Sequence, residues 1–136
     1  MLGQSRYPAS QVMQTRQEFA ELAAGWRMVS AASAPQARAD AEVQIFNQMV
    51  VALEGRLAPR WRGADGREGP ALTEVRLLAL GVTANGGVFP DDEKSRWKPD
   101  SSVTGYRAGD RIALTEEVFS RLAEVVLDGV ARTVAA

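Results

Sequence analysis

Three consecutive carboxylates, Asp91, Asp92 and Glu93, with Asp110 further along, are the side chains of this sequence best suited by type to hold a hard cation or move a proton. Such cations take oxygen ligands converging from several directions, and three neighbours on one loop cannot all point inward. An EF-hand pattern also fails, because Arg96 stands where that loop needs glycine. With Lys94, Arg96 and Lys98 following, the run reads as a solvated charged loop, and no metal site is expected. The chain has no histidine, so Ser-His-Asp hydrolysis, Cys-His catalysis, helical His-based zinc sites and imidazole proton shuttles are closed to it. It has no cysteine either, which removes disulfides, thiolate nucleophiles and thiolate metal ligands. A general base would have to be Asp, Glu, Lys or Tyr. Asn85-Gly86-Gly87 offers amides that could cradle an anion, but no dinucleotide-binding or P-loop glycine pattern surrounds it, and a helix stop or turn explains it. No catalytic residue and no cofactor are expected.

Contact chemistry is better represented. Arg60, Trp61, Arg62 and Arg67, beside Arg56 and interleaved with Asp65 and Glu68, form one aromatic and basic cluster, and Lys94, Arg96, Trp97 and Lys98 form a second. Trp and Arg dominate protein interfaces, and together they can stack on unpaired bases. The alternative is that each Trp covers a core as a lid while its basic neighbours stay in water. Three functional expectations follow: a non-catalytic helical module for protein interaction or oligomerisation, favoured as a homodimer with a further protein partner as the variant; a nucleic-acid accessory protein using the aromatic and Arg surface; and a small carboxylate- or metal-dependent enzyme around Asp91, Asp92 and Asp110. The second is disfavoured by charge. Residues 1–58 carry five positive and five negative side chains, 59–111 nine and eight, and 112–136 two and four, so no segment is strongly basic.

The elements that must carry these residues divide by composition. Nine of twelve Gly and four of six Pro fall between Gly55 and Gly109, leaving helix-forming flanks around a turn-rich centre. After Pro8, Ser10 can cap a helix whose apolar face takes Val12, Phe19, Leu22, Trp26 and Val29, with Thr15 in the stripe. Pro35 starts a second helix, running from about Gln36 to Leu57, with Ala39, Val43, Phe46, Val50, Leu53 and Leu57 on one face and Ile45 and Met49 widening it. Residues 10–57 are therefore expected as an antiparallel helical hairpin sealed by Phe19, Leu22 and Trp26 against Val43, Phe46, Val50 and Leu53.

Within the centre, 59–114, the stretch Leu72 to Val82 reads as a third helix capped by Thr73, with Glu74 in its first turn, and stopped at Asn85-Gly86, with a buried strand as the alternative. Gly87 to Phe89 and Arg111 to Leu114 are expected to pair as one small antiparallel β-hairpin. Thr115 caps a last helix over 115–132, with Glu116 and Glu117 complementing its dipole and Leu114 stapling to Phe119. The fold class is mainly α, with α+β as the lesser variant. A chain of 136 residues, 46% of them apolar, suffices for one globular domain with its own core. No stretch approaches the roughly 18 apolar residues of a membrane span, and no signal-peptide pattern follows Met1, so a soluble, cytoplasmic protein is expected. Fourteen of the sixteen basic residues are Arg, a bias typical of GC-rich bacterial coding composition.

Overall fold

The computed structural model describes residues 9–57, 70–91 and 99–135. They form four α-helices: α1 (Ala9–Ala31), α2 (Pro35–Leu57), α3 (Pro70–Ala84) and α4 (Glu116–Ala135). Pro99–Ser101 adds a single 3-10 turn. The chain is mainly α, and no described helix is long and apolar enough to cross a membrane.

Helices α1 and α2 are antiparallel, joined through 32–34, with the Gln11 amide donating to the Arg56 carbonyl at 3.1 Å near the open end of the pair. The expected seam between them is only partly formed. Trp26 meets Phe46 edge to face at 6.0 Å, but Phe19 turns to Phe119 of α4, at 5.8 Å, and Phe119 continues to Phe46 at 5.6 Å. Leu22, Val29 and Ala39 lie on the surface and Val43 is only half-buried. The reason is competition for α2, whose most extensive packing is against α3; α1 in turn leans mainly on α4. The spacing marked apolar positions correctly as helical, but an element with three neighbours does not give its whole face to the one next in sequence.

The core is a continuous cluster fed by all four helices, with Phe46, Leu53, Leu78, Leu114, Leu122 and Val130 at its centre. Helix α3 is more apolar all round than the others, as its covered position requires, and the helical alternative at 72–82 is the one adopted, starting at Pro70 rather than at Thr73. Pro at the first helical position loses no needed amide. In the same way Ser10 sits one residue inside α1 instead of capping it, since the helix is described from Ala9.

The expected β-hairpin is not formed. Among the described residues there is no strand, only one isolated antiparallel bridge between Val88 and Arg111. Phe89 N donates to Asp110 O at 2.8 Å and Ile112 N to Gly87 O at 2.8 Å. The pairing does not lengthen because the amides that would extend it are used elsewhere: Gly87 N donates to Gly81 O at 2.9 Å as Gly86 (φ 66°) and Gly87 (φ 83°) turn the chain off α3, and Asp110 N donates to Arg107 O at 3.0 Å.

The segment that follows is held by side chains acting as brackets on backbone. Asn47 of α2 donates through Nδ2 to Ile112 O and accepts Leu114 N on Oδ1, both at 3.0 Å. Glu42 of α2 accepts the Glu116 amide at 2.9 Å, and the Thr115 hydroxyl accepts the Val118 amide at 3.3 Å, so the first turn of α4 is capped from both its own chain and its neighbour.

Candidate functional site

The chemistry-bearing residues singled out by type fall largely outside the described residues. Arg60, Trp61, Arg62, Arg67, Arg96, Trp97 and Lys98 all lie there, as do Asp92, Glu93 and Lys94. The other two members of the carboxylate set are described. Asp110 Oδ2 accepts the Arg107 amide at 2.9 Å, which occupies it in closing the 107–110 turn. Asp91 is exposed at the end of its described segment. Among the described residues no three Asp or Glu side chains converge as a cation would require.

The most heavily engaged polar group is one the spacing had given a different role. The sequence places Glu74 only in the first turn of α3, where an acid complements the helix dipole. It is fully buried. Its Oε1 accepts Val103 N at 2.8 Å, and its Oε2 accepts Thr104 N at 3.1 Å, the Ser102 hydroxyl at 2.6 Å and the Thr104 hydroxyl. Ser102 Oγ in turn accepts Gly105 N at 2.8 Å. Four donors fill the lone-pair positions of the carboxylate, and no face remains for a substrate or a metal, so this cluster fastens the 102–106 loop onto α3. Phe89 and Tyr106 stack over the same region at 6.3 Å, and the Tyr106 hydroxyl accepts Ala113 N at 2.9 Å.

Two exposed surfaces remain as sites for contact. One is α1 itself, where Met13 (71% exposed), Leu22 (52%), Met28 (78%) and Val29 (64%) make four of the seven large apolar side chains left exposed among the described residues. Leu22 and Val29 are two turns apart and share the helical stripe of Gln11 and Glu18, which contact Arg56 of α2. The other is a groove of about 300 Å³ between α1 and α4. Phe19 and Phe119 form its floor, and the small side chains of Ala20, Ala23, Ser120 and Ala123 form its sides. An ion pair closes each end: Arg16 Nη2 to Asp128 Oδ1 at 3.1 Å, and Arg27 Nε to Glu116 Oε2 at 2.6 Å.

No family model, curated protein or solved structure matches the chain.

Arg56 of α2 pairs with Glu18 of α1, tying the open end of the hairpin. Glu54 on α2 is partly buried, and that desolvation raises its pKa from the ordinary glutamate value, with the Arg76 charge opposing the rise.

Proposed function

We propose that this chain is a non-catalytic helical module that works by associating with protein, a second copy of itself first. The observation that carries this is the composition of α1, which sends Val12, Phe19, Ala23 and Trp26 into the core and still leaves Met13, Leu22, Met28 and Val29 in water. A surface helix that is apolar on more than its core side exposes area whose burial is favourable at about 25 cal/mol per Å². The chemistry of the described residues supports the same reading, since the buried carboxylate Glu74 is saturated by the 102–104 loop and Asp110 serves a turn.

The test is sedimentation velocity and light scattering on the full chain from dilute to near-millimolar protein. A reversible dimer is expected, and one weakened when Met13, Leu22, Met28 and Val29 are together replaced by Gln without loss of helical circular dichroism. A wild-type chain that stays monomeric across that range removes the reading.

A further inference from the structure

We propose that the groove between α1 and α4 is the surface on which a second copy docks, with the two-fold axis lying along the groove so that α1 of each copy covers α4 of the other. This rests on the self-association reading and specifies its geometry: of the exposed apolar side chains of α1 it engages Met13, and it leaves Leu22 and Val29 outside the contact.

The argument starts from the two walls. The end pairs Arg16–Asp128 and Arg27–Glu116 make α1 and α4 antiparallel and fix their relative level over about 16 Å of helix. On the α1 side both charges are positive; on the α4 side Glu116, Glu124 and Asp128 are negative. A two-fold interface sets the same patch against itself, so its charge pattern decides which axis is allowed. An axis across the groove lays α1 on α1 and opposes Arg to Arg. An axis along the groove keeps each residue at its own level and exchanges the walls, which puts Arg16 over the partner's Asp128 and Arg27 over the partner's Glu116. Each end then becomes an alternating ring of two guanidiniums and two carboxylates.

The side chains at the walls leave room for this. Arg16 and Arg27 each use one N–H in their own pair, and with side chains 44% and 61% exposed they keep donors that face outward. Between the ends the side chains of Ala20, Ala23, Ser120 and Ala123 are short, and Glu124 on the α4 wall is the one long side chain lining that stretch. Met13, one turn before Arg16 and Gln17 on α1, lies beyond the groove end and extends its apolar area. The opposing charges also explain how a groove with little aliphatic surface would select its own copy over other helices.

The decisive experiment is a charge exchange in two full-length chains, read by sedimentation velocity. One carries Arg16→Glu with Arg27→Glu, making both walls negative; the other carries Glu124→Arg with Asp128→Arg, leaving the walls predominantly positive. All four positions are at the surface, and circular dichroism checks that both chains are folded. Each chain alone is expected to dimerise at least tenfold more weakly than wild type, and an equimolar mixture to recover a heterodimer, an outcome misfolding cannot produce. Raised salt should weaken the wild-type dimer. If wild type dimerises, the mixture recovers nothing, and Leu22→Gln with Val29→Gln abolishes the dimer, then the α2 side of α1 is the interface. That result overturns this proposal and leaves the association reading standing. A monomeric wild type overturns both.

Discussion

Replacing Glu74 with Gln tests the polar anchor of the fold at the smallest chemical change available. The carboxylate accepts Val103 N, Thr104 N and two hydroxyls with no solvent to share the work, and an amide at the same position turns an acceptor into a donor aimed at other donors. Glu74→Gln should lower unfolding free energy by about 2–4 kcal/mol, measured by urea titration, and should speed amide exchange at residues 103 and 104. Nothing local in the sequence announces this role, because the partners are 28 to 30 residues away and the same acid is equally well explained as a dipole-matching residue of a first turn. Glu54 carries the opposite sign. Its folded pKa is raised chiefly by burial, so folding is disfavoured while the group is ionised. Stability therefore rises as pH falls through the raised folded value and levels off below the ordinary glutamate value of the unfolded chain. Glu54→Gln should remove that part of the pH dependence and stabilise the protein slightly, by less than about 1 kcal/mol, at neutral pH; thermal melts at pH 7 and pH 4 of both chains read it directly.

At the scale of elements, two glycines of similar appearance in sequence have opposite meanings. A Cβ on Gly81 of α3 would stand 2.5 Å from the Ile112 side chain and 2.7 Å from the Val88 carbonyl, a backbone atom that cannot yield cheaply. Gly25 of α1 has nothing within 4 Å. Gly81→Ala should destabilise by about 1–3 kcal/mol through overpacking, while Gly25→Ala should stabilise by up to about 1 kcal/mol through helix propensity, both measured by denaturant unfolding. Periodicity revealed α1, α2 and α4, because spacing of three and four residues in runs such as Phe46, Val50, Leu53 and Leu57 is a property of one segment alone. It could not tell which neighbour each stripe would meet. Phe19 was assigned to α2 and found Phe119; Leu22 and Val29 were assigned to the core and found water. The approach of the two segments around Val88 and Arg111 is legible in sequence, but Gly87 N and Asp110 N, turned to Gly81 O and Arg107 O, limit it to a single bridge. The aromatic and basic clusters around Trp61 and Trp97 lie outside the described residues, so the groove between α1 and α4 became visible only once two helices more than eighty residues apart were brought together.

For the molecule as a whole, association and stability are one equilibrium seen from two sides. If a second copy binds only the folded chain, each tenfold increase in total protein adds about 1.4 kcal/mol per dimer to the free energy of unfolding, once the dimer is populated. For a chain of this length that corresponds to a rise in Tm of about 2–4 degrees per decade of concentration. A monomer melts at a Tm independent of concentration. Salt separates the possible causes. An interface built on the apolar side chains of Leu22, Val29 and Ile45 is strengthened or unchanged by added salt, because exclusion of salt from apolar surface favours burial. One built on Arg16, Arg27, Glu116 and Asp128, paired at the margins of a shallow groove, loses its attraction as the Debye length shrinks from about 10 Å at 0.1 M toward about 3 Å at 1 M. The expected result is a concentration-dependent Tm at low salt whose slope flattens at high salt, read by calorimetry on the full chain at matched pH. A slope that persists or steepens in salt assigns the contact to the apolar side of α1, and a flat line at every salt concentration leaves the exposed methionines and Leu22 of α1 without a self-association role.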